Sequence, residues 1–159
     1  SKTSEMKFFG GGDTGTLLKP NSGAPRGQID IVSVVKIDDI IENKDQKILF
    51  LIDAEGSELD VLEGAISIIS GKIKHYFIIE LWDPLLSDVV DAKSKNFTDV
   101  FRLMESKGYK GWKIDEENGD VIEPMINDPH TRYLSAVPAC FSNYLFMDAN
   151  GSHEFLCNK

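Results

Sequence analysis

The stretch ILFLIDAEGSELDVLEGA, Ile48–Ala65, holds the two patterns that decide the fold. Its first part, ILFLID, is an apolar run without alternation, closed by Asp53. Continuous apolarity is what a parallel strand buried on both faces requires. Its second part changes period: Leu59, Leu62, Ala65, Ile66 and Ile69 recur at three- and four-residue spacing, the single apolar face of a helix. Ser57 is the expected N-cap with Asp60 three residues on, and Gly71 the expected stop. HYFIIELW (His75–Trp82) repeats the first pattern, another continuous apolar strand ending in a carboxylate, Glu80.

Outward from this centre, IDIVSVV (Ile29–Val35) has the β-branched enrichment and partial alternation of a strand, and Asp38, Asp39 and Ile40 open a short helix. Phe97, Val100, Phe101 and Met104 form another helical face, with Asn96 as cap and Gly108 as stop. YKGWKID and DVIEPM flank the turn sequence EENG as a hairpin, and SNYLFMDA (Ser142–Ala149) is a last strand. Strand, helix, strand, helix, strand, strand describes a βαβα half of a doubly wound α/β sheet with an antiparallel C-terminal hairpin. Residues 1–28 read as an irregular N-terminal hairpin or loop, with MKFF (Met6–Phe9) as a short strand, and residues 29–159 as the α/β domain.

Composition narrows the function. A net charge of −9 and a pI near 4.8 repel phosphate backbones and anionic membranes, so neither nucleic acid nor a membrane is an expected partner. No run approaches the ~18 apolar residues of a transmembrane helix. Cys140 and Cys157 have neither a disulfide framework nor metal-knuckle spacing and read as thiols of a reducing, cytoplasmic compartment. The glycines at 10–12 lack the Lys-Ser/Thr pair of a phosphate loop and the strand and helix that flank a dinucleotide turn. Two Asn-x-Ser/Thr triplets, at Asn96 and Asn150, carry no weight.

Open α/β sheets bind ligands beyond the carboxyl ends of their strands, which is where Asp53, Glu55 and Glu80 fall. Carboxylates there can hold ribose hydroxyls, take a substrate proton, ligate Mg²⁺, or cap the next helix. A phospho-acceptor receiver is excluded because Asp39 and Asp53 are too close in sequence for the elements a receiver places between its acids.

These same residues resemble the FkbM-family methyltransferases. The resemblance rests on Ile37-Asp38-Asp39, on Ile52-Asp53-Ala54-Glu55-Gly56 with Leu62-Glu63-Gly64-Ala65, and on the strand ending in Glu80. It extends from about Val32 to Met147 and includes Lys107-Gly108-Tyr109 and Asn143-Tyr144-Leu145-Phe146. It implies a Rossmann-like class I methyltransferase fold, present as its C-terminal strands and helices. The implied reaction is S-adenosylmethionine-dependent methylation of a hydroxyl on a sugar, lipid or polyketide-like acceptor, a small molecule or glycan. Asp53, Glu55 and Glu80 would be catalytic, Asp38 and Asp53 would hold the cofactor, and Trp82 and His130 would meet the acceptor. No metal site is expected.

Two departures stand out. Leu51 replaces the lysine that family members often carry before the Ile-Asp of the motif, and the glycine-rich turn that cradles the methionine portion has no counterpart here. The expectation is therefore a truncated domain without the cofactor-cradling half. Two other readings remain open: a non-catalytic binding or scaffold domain, and a metal-dependent enzyme using Asp53, Glu55 and Glu80.

Overall fold

A computed structural model describes residues 4–9, 29–82, 92–114, 121–122 and 141–151. The element order is β1 (Ser4–Phe9), β2 (Ile29–Val34), α1 (Ile37–Ile40), β3 (Leu49–Ile52), α2 (Glu58–Glu63), α3 (Ile66–Ile69) and β4 (Tyr76–Trp82). α4 (Ala92–Ser106), β5 (Tyr109–Ile114), β6 (Val121–Ile122) and β7 (Phe141–Asp148) follow. β1 and β2 form a two-stranded antiparallel ribbon, and the others a five-stranded sheet in the order β3-β4-β7-β5-β6.

Within the larger sheet β3 and β4 are parallel, and β7 lies antiparallel between β4 and β5. The two continuous apolar runs are thus neighbouring parallel strands. The β5–β6 hairpin is present, with Lys113 opposite Ile122. The insertion of β7 between β4 and β5 was not in the sequence expectation.

One sheet face carries the larger core cluster, and Trp112, Leu145 and Met147 form a smaller buried cluster on the other. Ile52, Phe77, Ile79, Tyr144 and Phe146 pack against Leu62, Ile69, Phe101 and Met104 from the helices. Each large apolar side chain so buried contributes about 1.5–3 kcal/mol. Gly111 in β5 is required by this packing: a Cβ there would lie 2.6 Å from Cε1 of Phe101 and 2.7 Å from Cε1 of Phe146. α4 stops as expected, with Gly108 at φ 80° and its N–H donating to Glu105 O at 2.9 Å.

Four expectations need correction. β3 is apolar throughout but is not buried on both faces: it ends the sheet order, with Leu49 60% and Leu51 75% exposed. Ile29–Val34 is a strand but lies in the ribbon, not in the main sheet. Its alternation is the reason: Ile29 and Ile31 are 58% and 61% exposed, whereas a central parallel strand must be apolar on both faces. The helix after β3 is two helices, broken at Gly64–Ala65. α4 starts at Ala92, four residues before the expected cap Asn96.

Among the described residues no helix is long and apolar enough to cross a membrane. Gly111→Ala is expected to cost about 1–3 kcal/mol through overpacking against the two phenylalanine rings, read by chemical denaturation. An unchanged midpoint would show that the rings can give way.

Candidate functional site

Parallel pairing brings the strand-end carboxylates together. Ile52, the last residue of β3, is in register with Ile79 of β4. The next residues are therefore level: Asp53 follows the end of β3, while Glu80 is still within β4, on the opposite side of that strand from the buried Ile79. Asp53 is exposed and Glu80 half-buried, with Asn143 of β7 in register beside Glu80. β4 runs on to Trp82, so Glu80 lies two residues inside the strand and not at its last position.

Glu55 sits in the turn that follows, with φ 50°, and Gly56 has φ 99°. A left-handed non-glycine residue costs on the order of 1–3 kcal/mol and persists only where its surroundings hold it. Here the holding group is Glu58. Its Oε1 accepts the N–H of Ala54 at 3.1 Å and that of Gly56 at 2.9 Å, and the side chain is almost fully buried at 3% exposure. The Ser57 N–H donates to Ala54 O at 3.1 Å and closes the turn.

Sequence reasoning missed Glu58, although it falls inside the quoted motif. A glutamate in a first helical turn reads as a solvated residue favoured by the helix dipole. The available signal was the adjacent Gly56, which marks a turn whose N–H groups need an acceptor. Ser57 occupies the N-cap position but makes no side-chain cap bond, contrary to expectation, and its Oγ is buried without a hydrogen-bond partner.

Asp38 is engaged elsewhere. Its carboxylate accepts the N–H of Ser67 at 2.9 Å and of Ile68 at 3.0 Å, the first turn of α3, and its own N–H donates to Gly64 O at 3.0 Å. Lys44 donates to the Asp38 carbonyl at 3.1 Å and lies 3.8 Å from its carboxylate. Burial alone would raise its pKa, but hydrogen bonds from the Ser67 and Ile68 backbone and the Ser67 hydroxyl, with Lys44, hold it below the ordinary carboxylate value. With both oxygens serving α3, the geometry makes Asp38 a helix cap and does not fit it to a cofactor's ribose.

The remaining candidates divide. Trp82 is the last residue of β4, opposite Phe141, and its ring lies outside what is described. His130 also lies outside the described residues. His75 is 1% exposed; its Nδ1 accepts the Ile48 N–H at 3.3 Å and its backbone N–H donates to the Tyr109 hydroxyl at 3.2 Å. Desolvation, then Lys47 and Lys74, push its pKa down, so the imidazole is neutral. Among the described residues no three His, Cys, Asp or Glu side chains converge as a metal-holding group, so the geometry lends no support to a metal site at Asp53, Glu55 and Glu80.

The Asp38 cap makes a prediction with a definite sign. Because its folded pKa is depressed, its stabilisation is complete above the ordinary carboxylate value and is lost as pH falls through the folded value. Asp38→Asn is expected to cost about 1–2 kcal/mol at neutral pH and to flatten this part of the acid-unfolding curve. An unchanged acid slope would contradict the capping role.

No curated protein and no solved structure matches the chain. A family model described as the methyltransferase FkbM domain matches residues 3–110, two thirds of the chain, and spans the ribbon, the Asp53–Gly56 turn and Glu80. The chain belongs to the FkbM methyltransferase family.

Proposed function

We propose that this chain forms the acceptor-facing part of an S-adenosylmethionine-dependent O-methyltransferase with a Rossmann-like class I architecture. The observation that carries the reading is the β3–β4 register, which sets Asp53, just past the end of β3, level with Glu80 near the end of β4, with Glu55 in the turn between β3 and α2. Strand ends of this kind are where open α/β sheets bind ligands.

Of the residues expected to hold the cofactor, Asp53 fits: it is exposed at a strand end and can accept hydroxyl hydrogen bonds. Asp38 does not fit, and the described residues form no glycine-rich strand-to-helix cradle for the methionine portion. When bound, S-adenosylmethionine supplies an activated methyl group. What this chain adds is alignment and proton removal. The acceptor hydroxyl gives its proton to a carboxylate, Asp53 or Glu55, while Glu80 accepts a hydrogen bond from the acceptor and fixes its orientation. The acceptor class is a small molecule or glycan bearing a free hydroxyl, in a sugar, lipid or polyketide-like frame, and the setting is the cytoplasm.

Titrating S-adenosylhomocysteine into the ¹⁵N-labelled chain tests the cofactor assignment. The amides of Asp53–Gly56 and Leu81 are expected to shift, with affinity weakened about tenfold or more in Asp53→Asn, the equivalent of roughly 1.4 kcal/mol. No shift at millimolar ligand would overturn the assignment. In a methyl-transfer assay, neutralising the base, by Asp53→Asn or Glu55→Gln, is expected to lower kcat about 100-fold or more.

A further inference from the structure

α2 has two working faces. Leu59 and Leu62 turn toward the core, whereas Ser57, Asp60, Val61 and Gly64 follow one another at helical spacing along a second stripe. This stripe faces the end of the β1–β2 ribbon, where Ser4 pairs with Val34. An open cavity of about 390 Å³ lies between them, with Val34, Val35 and Ile37 on the ribbon side. That volume falls within the range of small-molecule sites, roughly 300–1,000 Å³. Neither Asp53, Glu55 nor Glu80 lines it.

Its chemistry is mixed in a way that selects a ligand. The walls are largely apolar, from Val34, Val35, Ile37 and Val61. Asp60 and Glu63 supply acceptor oxygens, and Lys36 offsets part of their charge. Ser57 also lines the cavity; it is 3% exposed, and its Oγ, turned away from the opening, has no hydrogen-bond partner among the described residues. Buried hydroxyls are ordinarily paired, so this one has capacity to spare if it turns toward the cavity.

We propose that this pocket binds a neutral, polyhydroxylated ring with one apolar C–H face. The C–H face lies on the valines and Ile37, ligand hydroxyls donate to Asp60 and Glu63, and rotation about χ1 turns the Ser57 hydroxyl to the ligand. Two carboxylates disfavour an anion, and Lys36 offsets part of the advantage a cation would have, which a butylammonium control measures.

The test uses methyl β-glucopyranoside as probe, with butylammonium and butyrate as controls, followed by amide chemical shifts of the 159-residue chain at tens of millimolar. Shifts confined to residues 34–37 and 57–64 are expected with the glucoside. They should be abolished in Val35→Trp, which fills the cavity from a position 43% exposed. Ser57→Ala should keep its melting temperature, since no existing bond is lost, yet weaken the glucoside about threefold or more. Absence of shifts at these amides, or shifts that survive Val35→Trp and Ser57→Ala alike, would overturn the site. Stronger shifts of the same amides with butylammonium would overturn the ligand class.

Discussion

The hydrogen bonds that the buried Glu58 carboxylate accepts from Ala54 and Gly56 fix the backbone between β3 and α2, and the proposed site is arranged around that turn. Without that acceptor both part-buried amides would lose these bonds, each worth about 1.5–3 kcal/mol when the acceptor is a charged group, and the left-handed conformation of Glu55 would lose its support on both sides. A carboxyl group buried to this depth is retained where its oxygens find donors. Oε1 of Glu58 takes both amides and so fixes the turn, which makes Glu58 a backbone-facing member of the motif.

Asp38 plays the matching part on the other side of α2. By receiving the first N–H groups of α3 and giving its own N–H to Gly64, it fastens α1 to the break between the helices. The acidic motif residues therefore separate into two groups. Glu58 and Asp38 build the frame, while Asp53 and Glu55 follow β3 and Glu80 lies near the end of β4. The chain belongs to the FkbM methyltransferase family, and the proposed proton transfer falls to the second group.

Much of the frame was legible because local pattern reports element type. Ile48–Asp53 and His75–Trp82 read as strands and are parallel neighbours, but the apolar run overstated burial in β3, where Leu49 is 60% and Leu51 75% exposed. Gly108 read as a helix stop and has the positive φ that such a stop needs. Legibility failed where the deciding partner is distant in sequence. Asp38 finds its partners at Ser67 and Ile68, and nothing local separates a cap from a cofactor ligand. The placement of β7 between β4 and β5 is likewise a tertiary fact. Leu51, standing where a lysine was expected, is 75% exposed on the edge strand β3, so the polar contact a lysine would supply at that position is absent.

Amide hydrogen exchange at Ala54 and Gly56 tests the central claim most directly, because both amides lie in a partly exposed turn and are tied only through Glu58 in the bonds described. The account requires both to be protected in the native chain. In Glu58→Leu they should exchange at the rate of an open loop while Phe77 and Ile79 in the core stay protected. Equal protection of Ala54 and Gly56 with and without the Glu58 carboxylate would contradict the account.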